Sequence, residues 1–144
     1  MILEDTYVDY LNTLVDIISK STEFENNYTS AEICKFISLA FYKLYAPSSK
    51  KSAKEYMYKS LMLAKKHKNQ EVIEYASNFI LNESIRSHSL DEVDSIKSEI
   101  LELLSSGYLL PNSKIILLLI EFYIKNKSED KALRIINFCK EKVS

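Results

Sequence analysis

The sequence predicts an all-α fold of about seven helices, paired as antiparallel αα-hairpins. The 144 residues include 1 Gly and 2 Pro, whereas average usage would supply about ten Gly and seven Pro. All-β folds need turn residues about every 8–12 positions, and this chain lacks them. Apolar residues recur at helical spacing, and no long segment alternates with period two. Loops of about two to ten residues between helices favour antiparallel neighbours.

The first predicted helix covers about 5–20. Its apolar face carries Tyr7, Leu11, Leu14, Val15 and Ile18. A polar loop, 21–28, leads to the second predicted helix, which begins with a capping-box sequence at 29–32. This helix runs to about Tyr45 and is ended by Pro47.

The third predicted helix, about 50–67, has a single apolar stripe at positions i, i+3, i+4, i+7, i+8 and i+11. The stripe comprises Ala53, Tyr56, Met57, Ser60, Leu61 and Ala64. Asn69 caps the fourth predicted helix, about 70–83. The fifth opens with a second capping-box sequence, at 89–92, and stops at Gly107, a residue typical of helix C-termini.

The last two predicted helices cover about 113–126 and 129–142. The first of these opens after Pro111. The second opens at Ser128, and acidic residues follow in its first turn, where the helix dipole favours negative charge. The sixth helix is apolar nearly all round, so we expect it to be central or interfacial. Its uncovered residues should be Leu117, Leu118 or Ile124, filled by a ligand segment or a second copy; the sequence favours a homodimer over a monomer.

Helices six and seven repeat the pattern of helices two and three. Tyr123 precedes Ala132 by nine residues, as Leu44 precedes Ala53. Small residues then alternate with a large one on the second helix of each pair, which lets the paired helices approach closely. Those small residues are Ala53, Ser60, Ala132 and Cys139. This pattern resembles the tetratricopeptide repeat, and 59–71 is also similar to repeats of bacterial peptide-sensing regulators.

The resemblance covers about 34–142 and implies a short right-handed superhelix. We therefore expect a single helical-repeat domain, 1–144, with 1–28 as a capping helix and loop and 29–144 as three degenerate αα-hairpin units. In the middle unit the second helix arrives about five residues late. Another compact helical bundle is the alternative architecture.

The resemblance also implies a concave groove that binds a peptide or a protein. Family geometry places these residues there: Lys35, Leu39, Tyr42, Tyr45, Ile73, Glu74, Ser77, Lys114, Leu117, Leu118 and Glu121. Grooves that combine aromatic and aliphatic residues with a few charges suit a peptide or a helix. Alternatively, further helices or a second copy of the chain cover this face.

Catalytic and cofactor motifs are not found in the sequence. A single Gly excludes phosphate-binding loops, and His67 and His88 lie in no metal-ligand pattern. Cys34 and Cys139 fall within apolar helical segments, which indicates buried thiols, a reducing compartment and hence a cytoplasmic protein. We expect no cofactor, no metal and no enzymatic activity.

Charge is segregated along the chain although the formal net charge is -1. A basic patch on the third helix comprises Lys50, Lys51, Lys54, Lys65, Lys66 and Lys68, and acidic residues dominate 4–25 and 83–102. The patch either pairs within the chain or meets an acidic partner. Interleaved base-reading aromatics are missing, which argues against nucleic acid, and no apolar run is long enough to cross a membrane.

The sequence thus favours a non-enzymatic binding protein: an adaptor, a chaperone or an inhibitor that uses a helical-repeat groove. The alternative is a toxin-neutralising immunity protein or regulator that acts by surface-charge complementarity. A small enzyme is the third hypothesis.

Overall fold

The computed structural model describes residues 2–143, and the side chains of residues 5–142. The described chain contains seven α-helices and no β-strand, which confirms the predicted all-α class. The helices are α1 (Ile2–Ser19), α2 (Ser30–Tyr42), α3 (Pro47–His67), α4 (Gln70–Arg86), α5 (Leu90–Ser105), α6 (Lys114–Lys125) and α7 (Glu129–Val143), with one 3₁₀ turn at Phe24–Asn26.

The chain forms two compact units, Met1–Ala76 and Ser77–Ser144. In unit 1, α2 packs against α3, and α1 lies against α2. In unit 2, α6 packs against α7. The expectation of one repeat domain over 1–144 stays a prediction.

The α2–α3 crossing is close because both helices present small residues to each other. Ala53 is fully buried, and its carbonyl oxygen accepts a hydrogen bond from the Ser38 hydroxyl. The Ser60 hydroxyl donates to the carbonyl oxygen of Ala31 at 2.7 Å. A serine hydroxyl reaches a backbone carbonyl across a helix pair only when the backbones lie near each other. The crossing therefore depends on the small residues that the sequence pattern singled out.

Three hairpin turns share a left-handed residue followed by a polar residue at the start of the next helix. Lys68, His88 and Lys127 have φ values of 57, 55 and 58°. After Lys68, the amide of Asn69 donates to the Ala64 carbonyl at 2.8 Å, and Ser128 donates likewise to Tyr123. These are the bonds of the Schellman helix ending. Gly107, at φ +83°, ends α5 in the same way, as the sequence predicted.

Two helix boundaries differ from the sequence expectations. The predicted capping box at 29–32 is wrong, because Thr29 makes no cap hydrogen bond and its hydroxyl donates to the Asn27 side chain at 2.8 Å. Pro47 opens α3 instead of only ending α2, since its fixed φ and missing N–H suit the first turn. At α5, the Ser89 hydroxyl does accept from the Glu92 amide, at 3.2 Å.

Candidate functional site

A groove in unit 2 lies between α4 and α6 and has a volume of about 580 Å³. Its lining residues are Asn78, Asn82, Lys114, Leu117, Leu118 and Glu121. The four α6 residues are spaced i, i+3, i+4 and i+7, which places them on one side of the helix. The other side of α6 is buried in the core. We call this cavity the α4–α6 groove.

The α4–α6 groove combines an apolar centre with polar ends. Leu117 is 61% exposed and Leu118 is half-buried. Glu121 forms an ion pair with Lys125 at 2.7 Å in which both side chains are mostly exposed, so it contributes little stability and yields readily to a ligand. On α4, the Asn82 side-chain amide donates to the carbonyl oxygen of Asn78 at 2.8 Å. The groove thus offers aliphatic surface, two amides and two opposite charges.

Unit 1 holds a larger and more aromatic groove of about 730 Å³. It is lined by Tyr7, Leu11, Phe36, Leu39, Ala40, Lys43, Leu44 and Tyr75. The Lys35 ammonium lies 4.8 Å from the centroid of the Phe36 ring and 4.9 Å from that of Tyr75. These cation–π contacts hold the two rings at the rim of the groove.

The structure distributes the predicted groove residues among several places. Lys114, Leu117, Leu118 and Glu121 lie together in the α4–α6 groove, and Leu39 lines the groove of unit 1. Tyr45 is 89% exposed and Tyr42 is half-buried beneath the Lys50 ammonium, and neither lines the cavity. Glu74 is exposed and accepts from the Gln70 amide at 3.1 Å.

The prediction that two α4 residues line the groove is wrong, because both are buried. Ile73 and Ser77 are both 0% exposed, so their side chains reach no ligand from the surface. Asn78 and Asn82 supply the α4 wall instead. The repeat register does not select these two asparagines, because it places residues by position and takes no account of side-chain chemistry. Their i, i+4 spacing, with two side-chain amides on one side of a helix, was the available signal.

The lysines of the basic patch are spread along the length of α3. Lys50 and Lys65 are 15 residues apart, or about 22 Å of helix. The Lys50 ammonium donates to the Tyr42 carbonyl, and the Lys66 ammonium donates to the Asn26 side chain at 3.2 Å. Lys51 and Lys68 are exposed, whereas Lys54 and Lys65 are half-buried. Two of the six lysines are thus engaged by hydrogen bonds within the chain.

The contacts of His67 and the burial of Cys34 indicate structural roles for both residues. The His67 ring nitrogen Nε2 lies 2.8 Å from the carbonyl oxygen of Glu25, and Tyr28 contacts the ring edge-on, so His67 holds the 21–28 loop. Cys34 is fully buried, and burial raises the pKa of its thiol to about 11. Such a thiol stays protonated at neutral pH, which removes its nucleophilic form. Within the described residues, no three His, Cys, Asp or Glu side chains are grouped as metal ligands.

A polar network that the sequence analysis did not identify joins α5, α6 and α7. The hydroxyl of Tyr123, a fully buried residue, donates to one carboxylate oxygen of Asp94, and the Lys131 ammonium lies 3.0 Å from the other. Partial burial opposes the charge on Asp94, but the hydrogen bonds from Tyr123 and Lys131 and the nearby charges of Lys131 and Lys97 outweigh it. They hold the pKa of this carboxyl below its ordinary value.

The Asp94 network predicts a stability that falls in acid. Because the pKa of Asp94 is lower in the folded than in the unfolded state, its contribution is complete above about pH 4 and is lost as the pH falls through the folded-state value. We expect Asp94→Asn to destabilise the protein near neutral pH, and we expect its difference from wild type to shrink as the pH falls through the folded-state pKa of Asp94. Urea denaturation of both proteins across this range measures the difference, and a difference independent of pH would contradict the assignment.

No protein-family model, curated protein or solved structure matches the chain. None of the described helices combines the length and hydropathy that a membrane-spanning segment requires.

Proposed function

We propose that this chain is a non-enzymatic peptide-binding protein and that the α4–α6 groove is its binding site. The observation that supports this is the placement of Leu117 and Leu118 between Lys114 and Glu121 along one wall. The two charged residues are separated by seven positions, about 10 Å along the helix axis. That span matches about three residues of an extended peptide.

The chemistry of the groove suits a peptide better than a small apolar molecule. A bound segment must satisfy its backbone N–H and C=O groups, and the side-chain amides of Asn78 and Asn82 offer both donors and acceptors. Lys114 and Glu121 attract opposite charges, which fixes the direction of the segment. Leu117 and Leu118 supply the apolar contact from which most of the affinity would come.

The proposal includes a tetratricopeptide-like architecture, a short right-handed superhelix of αα-hairpins. It is supported by the small residues Ala53, Ser60 and Ala132, which are all buried. It is supported further by the similar turns at His88 and Lys127, each of which joins the first and second helix of a predicted unit. In such an array the first helix of each hairpin lines the binding face, and α4 and α6 are first helices in the predicted register. Two free thiols are consistent with the proposed cytoplasmic location.

The alternative functions have less support. An immunity protein that recognises its target by charge would use charges available to a partner, and Lys50 and Lys66 of the basic patch are engaged by hydrogen bonds within the chain. An enzyme that uses Cys34 as a nucleophile would need an accessible thiolate, and this thiol is buried with a raised pKa.

The proposal is tested with peptides selected from a random 12-residue phage-displayed library on the immobilised full chain. We expect selected peptides to bind the wild-type protein and to lose at least about tenfold in affinity with Leu117→Glu. Asn82→Ala should weaken binding less, because it removes hydrogen bonds and leaves the apolar contact. Fluorescence anisotropy with synthetic copies of the selected peptides measures both.

Met62→Glu is the matched control, since Met62 is 70% exposed on α3, outside the α4–α6 groove. It should bind like wild type. A library that yields no binder, or binders that tolerate Leu117→Glu, would overturn the assignment of this groove.

A further inference from the structure

An apolar stripe on α1 remains exposed to solvent. Tyr7, Tyr10, Leu14 and Ile17 are exposed by 58, 67, 42 and 62%. Their spacings of 3, 4 and 3 residues are those of the core positions of a coiled coil. We call these four residues the α1 seam.

The α1 seam lies beside the face by which α1 packs on its own unit, and its first residue, Tyr7, also lines the groove of unit 1. Leu11, Val15 and Ile18 are half-buried against the cluster that contains Ile37 and Phe41. Helix α1 therefore has two apolar stripes, and contacts in unit 1 use one of them. The spacing of the second stripe favours another helix as its occupant, because an extended segment would contact residues with a different period.

The charges of α1 favour a second copy of the chain over a basic partner helix. At 100° per residue, Asp5, Asp9 and Asp16 project about 120–160° away from the centre of the seam. The nearest polar positions beside the seam are Thr6, Thr13 and Lys20, and Lys20 pairs with Asp16 at 2.9 Å. Among the side chains that the structure describes, a basic helix would thus find no acid beside the seam, and two copies would bring none together.

The order of side chains along the α1 seam is self-complementary in an antiparallel pair. A two-fold axis near position 12 places Tyr7 opposite Ile17 of the second copy, and Tyr10 opposite its Leu14. Each large aromatic then meets a smaller aliphatic side chain, and the two helix dipoles run in opposite directions, which is favourable. A parallel pair would instead place tyrosine against tyrosine and align the dipoles.

We propose that the α1 seam is the interface of an antiparallel homodimer of this chain. The four residues from each copy bury on the order of 1,000 Å² in total, near the lower limit for a stable interface. A dissociation constant in the micromolar range is therefore expected. The dimer is independent of peptide binding in the α4–α6 groove, so either proposal can fail without the other.

Sedimentation equilibrium of the full chain over roughly 1–300 µM tests the interface. Wild type is expected to approach twice its 16.7 kDa mass, and Leu14→Glu and Ile17→Glu are expected to stay monomeric because each would bury a charge in the seam. Circular dichroism establishes that the variants keep their helices. Met62→Glu and Leu117→Glu are the controls, and both should dimerise as wild type does.

Disulfide trapping tests the orientation, with Tyr7→Cys and Ile17→Cys each made in a Cys139→Ser background. These two positions are ten residues apart, about 15 Å along the helix. An antiparallel seam should give a mixed disulfide when the two variants are combined and little from either variant alone. A monomeric wild type, a dimer that survives Leu14→Glu, or ready disulfides from Tyr7→Cys alone would each overturn the proposal.

Discussion

Tyr123→Ala is expected to lower the free energy of unfolding of unit 2 by about 3–5 kcal/mol, the largest effect predicted for this chain. The Tyr123 side chain is fully buried, and the Lys97 and Lys131 ammonium groups lie 5.7 and 5.6 Å from its ring centroid. Truncation would leave a cavity and would remove the hydrogen bond to Asp94. Urea denaturation followed by circular dichroism measures the change.

Tyr123→Phe separates the ring from the hydroxyl. It keeps the ring and removes the donor to Asp94, so we expect a loss of about 1–2 kcal/mol. In a double-mutant cycle with Asp94→Ala, the two losses should not add, because each variant removes one partner of the same hydrogen bond. Equal losses for Tyr123→Ala and Tyr123→Phe would show that packing of the ring contributes nothing, contrary to its burial.

Ala53→Leu is expected to destabilise unit 1 by about 1–3 kcal/mol. Ala53 is 0% exposed at the crossing of α2 and α3, where its carbonyl accepts from Ser38. A leucine side chain has no space there unless the helices separate, which would also break that hydrogen bond. Thermal unfolding measures the effect. Ala132→Leu, at a residue 2% exposed on α7, should act in the same direction.

Lys51→Leu provides the control for Ala53→Leu. Lys51 lies on the same helix and is exposed, so an added leucine should change stability by no more than about 0.5 kcal/mol. If Ala53→Leu and Ala132→Leu were both as neutral as Lys51→Leu, the close crossings and the repeat register would be wrong.

Helix endings mark one limit of the sequence analysis. Gly107 was recognised as a helix end because glycine adopts positive φ at no steric cost. Lys68, His88 and Lys127 adopt the same conformation without that signal. Their strain is compensated by backbone hydrogen bonds local to each turn, such as those of the Asn69 and Ser128 amides. Because His88 carries no such signal, α4 was predicted to end at about 83, whereas it extends to Arg86.

The α4 wall of the groove marks a second limit. The repeat register suggested that Ser77 and Ile73 face a ligand, but both residues are fully buried. Which sides of an amphipathic helix are covered depends on every element that packs on it, and a single apolar stripe does not reveal a second covered side. By contrast, the four α6 residues that the repeat resemblance implied, Lys114, Leu117, Leu118 and Glu121, do line one groove.

The sequence by itself determined the all-α class, the number of helices and the small residues at the α2–α3 crossing. These follow from local periodicity and from the scarcity of Gly and Pro, which act over a few residues. Only the tertiary structure decided which residues share the α4–α6 groove, which lysines pair within the chain and that Asp94, Tyr123 and Lys131 meet. Those relations join residues up to 43 positions apart, as Asn78 and Glu121 are in the groove, and their geometry is set by how helices cross, a property that no single helix encodes.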